Sequence, residues 1–152
     1  MLWRAWGVLG GVSAVLVLFA FFSTLLASGW SLGDPTSAGS PFHHAYLQAT
    51  TATFVGIVAC QVGTAVAART DHASLRQVGL FSNRMLVWGI AFELLFTAAL
   101  VYLPPLNAVM GTTPLPASTL LLMTPFPLVV WAADLAWRSW RDRSSADPGN
   151  KA

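Results

Sequence analysis

The chain is poor in charge. Asp, Glu, Lys and Arg make up 9% of its 152 residues, where a soluble domain carries about 25%. Hydrophobic residues make up 55%, and mean hydropathy is +0.62. An ordinary soluble enzyme is thereby excluded, and an integral membrane protein is indicated. The net charge of +2 and a pI of about 9.2 do not make it a nucleic-acid binder, because the basic residues have another explanation. Cysteine is nearly missing too. The single Cys60 excludes an intramolecular disulfide. There is also no internal repeat.

What is present is a set of four apolar segments, about 6–27, 46–68, 85–103 and 115–137. Each is about long enough to cross a bilayer as a helix. The expected fold is all-α: a four-helix transmembrane bundle in contact with the lipid bilayer. The first segment follows Arg4, as the apolar region of a signal peptide would. It is longer than such a region, and no A-x-A site follows it, so it reads as a retained span. A polar tail, 139–152, is expected to be disordered.

The eight basic residues lie in three places. Arg4 precedes the first span. Arg69, Arg76 and Arg84 separate the second from the third. Arg138, Arg141, Arg143 and Lys151 follow the fourth. The other two loops have none. By the positive-inside rule both termini and the middle loop are cytoplasmic, and loops 28–45 and 104–116 face outward. A multi-pass protein of the plasma membrane is expected.

The second span carries Ala49, Ala52, Gly56, Ala59, Gly63 and Ala67 at spacings of three and four, which makes one face of small residues open to a neighbouring helix. Gly7, Gly10, Gly11 and Ala14 do the same in the first. Pro125 and Pro127 in the fourth free backbone carbonyls and bend the helix. Trp3, Trp6, Trp30, Trp137 and Trp140 sit at segment ends, as interfacial anchors do. One carboxylate, Glu93, falls near the middle of the third span. That is the costliest depth for an acid, and a functional role is the default reading there. Asp134 stands four residues before Arg138 and reads as an ion pair. His43 and His44 lack further ligands nearby for a metal site.

Several runs carry a resemblance: RAWGVLGGVSA (4–14), QATTATFVGIVACQ (48–61), RTDHASLRQVGLFSNR (69–84), VYLPPL (101–106), MGTTPL (110–115) and PFPLVVWAADLAWR (125–138). In this order and spacing they resemble the C-terminal transmembrane region, helices seven to ten, of cation-transporting P-type ATPases of the calcium-pump and sodium-pump group. The resemblance covers about residues 4–138. It implies ATP-driven cation transport through a phospho-aspartate by a complete pump. The sequence holds no D-K-T-G, T-G-E-S or G-D-G-x-N-D motif, so no catalytic residue, ATP hydrolysis or cofactor is expected of the chain alone. The implied partner is the N-terminal part of such a pump.

The resemblance also implies three cation-binding candidates. Gln61 stands where the eighth helix of calcium pumps has an acidic ligand. Glu93 stands where the ninth helix of the sodium pump has a glutamate near its third sodium site. Thr64 stands where the sodium pump has an aspartate, and a hydroxyl there brings no charge. Read from the residues alone, Gln61 also suits an interhelical hydrogen bond. Glu93 also suits a protonated carboxyl tied to a neighbouring helix. Gln61 and Glu93 both sit about eight residues from the cytoplasmic side, roughly 12 Å deep, so a contact between them, direct or through an ion or water, is expected. Two other classes fit a four-span chain. One is a stand-alone interaction or regulatory protein docking through its small-residue faces. The other is a small proton-coupled transporter, against which counts a first span without an acid.

Overall fold

The computed structural model describes residues 4–69 and 83–146. Arg76 of the middle loop and Lys151 of the tail lie outside the described residues. Helix α1 is Gly11–Ala27, entered through a π-helical stretch, Arg4–Gly10. Helix α2 is His43–Arg69, α3 is Arg84–Tyr102, and α4 is the short Pro104–Met110. Helices α5, Ala117–Met123, and α6, Phe126–Ala146, follow. There is no strand among the described residues. Four helical stretches are long and apolar enough to span a membrane: Gly7–Ala27, His43–Arg69, Arg84–Tyr102 and Ala117–Arg141.

Local chemistry sets the helix ends. The amides of Ser28 and Gly29 close α1 on the carbonyls of Leu25 and Leu26, and Gly29 takes a positive φ of 83° that suits its lack of a side chain. Asn83 caps α3, its side chain accepting from the amides of Met85 and Leu86 at 3.1 and 3.3 Å. At the other end of α3 the Pro104-Pro105 pair stops the helix. The carbonyls released there are taken up by side chains. Asn107 Nδ2 donates to Val101 O at 2.9 Å, and Thr112 Oγ1 donates to Leu100 O. Tyr102 OH reaches Leu115 O at 3.1 Å. Helix α4 then starts on the two prolines, where a missing amide costs nothing.

The fourth span is interrupted at its two prolines, with Thr124 between the two helices keeping helical dihedrals (φ −52°, ψ −38°). Pro125 and Pro127 lack the amides that would continue the ladder, so α5 ends at Met123 and α6 begins at Phe126. Helix α6 also continues to Ala146. Residues 139–146, expected in the disordered tail, form its last turns instead. Trp140 in this extension has its ring centroid 5.2 Å from that of Trp137, and the Asp134–Arg138 pair lies just before it on the same helix.

Helix α2 is the centre of the bundle, with α1 and α6 packed on it. Its small-residue face is the reason. Ala49, Ala52, Gly56, Gly63 and Ala67 are all buried. A side chain at Gly63 would come within 2.6 Å of the Pro127 carbonyl oxygen, so here backbone meets backbone. Gly56 faces Phe126 and Val17 at ordinary contact distance. A second cluster, Leu25, Ala45 and Ala49 with Phe21 and Trp30, closes the other end of the α1–α2 pair. Loop 28–42 is folded on itself: Ser31 N donates to Asp34 Oδ2, Trp30 Nε1 to Asp34 O, and His43 Nδ1 to Thr36 O. Helix α3 stands apart, touching α2 and α4.

Candidate functional site

Gln61 and Thr64 lie one turn apart on α2 and share a groove of about 310 Å³ between α2 and α1. Ser13, Val17 and Cys60 line it with them. The Thr64 hydroxyl donates to Cys60 O at 3.0 Å, the usual backbone return of a helical threonine. Its lone pairs stay available to the groove. The Gln61 side chain is exposed and makes no hydrogen bond among the described residues. The groove's polar groups are therefore an amide, hydroxyls and a thiol, with no charge. Such a set can solvate a cation partially but does not neutralise one.

Glu93 is on α3, and burial settles which way it faces. Thr97 and Leu100, four and seven residues on, are buried, and Glu93 itself is half-buried. Trp88 and Leu95 lie on the opposite side and are exposed, as are Phe92 and Phe96, which stack at 5.9 Å on the flank between. Glu93 thus belongs to the stripe that α3 turns toward the bundle.

The structure joins two of the three candidates and leaves the third outside. Gln61 and Thr64 share a groove, whereas Gln61 and Glu93 make no direct hydrogen bond with each other among the described residues. No hydrogen bond or ion pair among the described residues involves Glu93. The reason is how α3 is held. Its buried residues, Thr97, Leu100 and Val101, are at the end near α4, while Met85 and Trp88 at the other end are 87% and 73% exposed. Gln61 meanwhile opens on α1. Equal distance from the ends of their spans says nothing about the direction each side chain takes around its helix.

Asp134 makes the expected ion pair and is enclosed by the bundle. It is 0% exposed, and its Oδ2 lies 2.7 Å from Arg138 Nη2. Spacing gave the pair; burial on α6 came from packing. The hydroxyl of Thr51 was overlooked in the sequence. It accepts from Thr113 N at 2.9 Å and so pins the 104–116 loop to α2. No group of three or more His, Cys, Asp or Glu fit to hold a metal exists among the described residues.

With this geometry in place, comparison with known proteins is informative. Residues 1–140 match the family described as cation transporting ATPase, C-terminus. The chain belongs to that family. It is a C-terminal membrane region of the P-type ATPase kind, a multi-pass membrane unit. It is also similar to the calcium-transporting ATPase type 2C member 2 of Rattus norvegicus, with 36% identity over 75 residues. That stretch is 49% of this chain but 8% of the rat protein. The chain thus matches a small fraction of its relative's length.

Proposed function

We propose that this ATPase C-terminal region works as the seventh-to-tenth-helix block of a cation pump, bracing the ion-translocating helices and offering them polar groups. The family match across 1–140 is the observation that carries the reading. Within the block, Gln61 and Thr64 present neutral oxygens at the α1–α2 groove, and Glu93 presents a carboxyl on the inner stripe of α3. These are the groups through which the block contributes to a cation site. Calcium is the cation to test first, because the similar rat protein is a calcium-transporting ATPase.

The chain by itself hydrolyses no ATP in this reading, since phosphoryl transfer to an aspartate needs a nucleotide site and an acceptor loop. Its partner is the N-terminal part of a P-type ATPase, and its site is the plasma membrane with both termini inside. The other two classes, an independent docking protein and a small proton-coupled transporter, are not favoured by any observation above. Co-expression with a tagged N-terminal pump fragment tests the proposal. Expected is co-purification with cation-stimulated ATP hydrolysis that neither part shows alone. Hydrolysis by the isolated chain, or failure of the two to associate, overturns it.

A further inference from the structure

A second indentation lies where α1, α2 and α5 converge, away from the Gln61 groove. It has a volume of about 420 Å³. Six of its nine lining residues carry a hydroxyl or an amide: Ser23, Thr24, Ser28, Gln48, Ser118 and Thr119. None is charged. In a bundle this apolar, such a concentration of neutral polar groups needs an explanation.

Their hydrogen bonds supply one. Ser23 and Thr24 donate to Ala20 O at 3.2 and 2.8 Å, and Ser28 donates to Thr24 O at 3.1 Å. Gln48 Nε2 donates to Pro114 O at 3.4 Å. Each of these groups keeps an oxygen free to accept. The Ser118 and Thr119 hydroxyls have no hydrogen-bond partner among the described residues, and Thr119 is only 8% exposed. A lipid chain laid in the cleft would leave these groups unsatisfied, at a real cost in hydrocarbon. Water satisfies them, because it donates and accepts and needs two to four polar partners. The space admits a cluster, each molecule taking about 30 Å³ in the liquid.

We infer that this cleft is an aqueous indentation open to the outer solution, carrying ordered water about one helical turn below the end of α1. The outward direction rests on the topology proposed above; the hydration does not. Water there shortens the hydrocarbon path that α1 and α5 must span, and it explains why Ser, Thr and Gln cluster on these three helices.

Single cysteines test this in a Cys60→Ala chain in sealed membrane vesicles, using a membrane-impermeant thiol reagent. Ser23→Cys and Thr119→Cys probe the cleft. Phe22→Cys and Leu121→Cys are at matching depth but on other, exposed faces, and Ser37→Cys reports the outer loop. Only a thiolate reacts, and it forms only in contact with water. The expected result is reaction at 23 and 119 at least ~10-fold faster than at 22 and 121, from the same side as 37. Circular dichroism of each variant verifies that the helices are intact. Reaction at 37 with none at 23 and 119 overturns the aqueous cleft and leaves the topology standing. Reaction at 23, 119 and 37 only in vesicles of opposite orientation overturns the outward direction and leaves the hydration standing.

Discussion

The seam between α2 and α6 and the outlying helix α3 are built from equally apolar sequence, yet only one is a packed interface. In the seam, Gly63 lets the α2 backbone touch Pro127, and Ala52, Cys60, Ala67, Phe126 and Val130 are buried around it. On α3, Met85, Trp88, Phe92 and Leu95 are exposed. Large apolar side chains gain nothing by leaving lipid for protein, so close backbone approach decides what packs. The acids follow the same division. Asp134 on α6 is enclosed and paired, while Glu93 on α3 is half-enclosed and makes no hydrogen bond among the described residues. One carboxylate is tied into the packing of this block, and the other is not.

The sharpest way to break that contrast is Asp134→Ala. It removes the carboxylate 2.7 Å from the Arg138 guanidinium, in a site that is 13% exposed at Arg138 and 0% at Asp134. Loss of one partner of a buried pair costs about 3–5 kcal/mol. Equilibrium unfolding in mixed micelles should show a loss of this order, and Asp134→Leu with Arg138→Met should recover most of it. A single variant within about 0.5 kcal/mol of the parent would show that the pair is not structural.

Glycine replacement compares the two regions directly. Gly63→Ala puts a Cβ 2.6 Å from the Pro127 oxygen, and overpacking of that kind costs about 1–3 kcal/mol. Gly89→Ala on α3 meets nothing within 4 Å, so it should be neutral or stabilising by up to about 1 kcal/mol, as helix propensity allows. Equal effects at the two positions would remove the distinction between seam and outlier.

Sequence reading reached the four helices and the small-residue face of α2, because helix length and three-to-four spacing are local properties. It also found the Asp134–Arg138 spacing. It missed the extent of α6 beyond residue 138, where the charged turns read as tail although the side chains of Trp137 and Trp140 associate. It placed Gln61 and Glu93 at one depth but could not say which helix each would face. That depends on α3 being held at its α4 end by the Leu100, Val101 and Tyr102 bonds. The Thr51 anchor joins residues 62 apart in sequence, and no local pattern announces such a pairing. Thr51→Val removes the acceptor for Thr113 N and should cost about 1 kcal/mol. It should also increase proteolysis within loop 104–116, and unaltered cleavage there would mean that the bonds to α3 suffice.

The smallest expected effect on stability is at Glu93, and it says most about function. Glu93→Gln keeps size and polarity while removing the charge. Because no hydrogen bond or ion pair in the described structure depends on this carboxyl, unfolding of the chain should change by less than about 0.5 kcal/mol. An intramembrane acid that is dispensable for folding has no structural role to repay its cost in the bilayer. Under the proposed function, its contribution appears when the remaining pump helices meet α3. In the assembled pump, Glu93→Gln should shift the apparent cation affinity or the proton dependence of ATP hydrolysis while assembly is unchanged. A large loss of stability in the isolated chain would assign Glu93 to the bundle's own architecture. A stable variant with unaltered cation and proton dependence would remove it from the ion path, leaving Gln61 and Thr64 as the block's contribution.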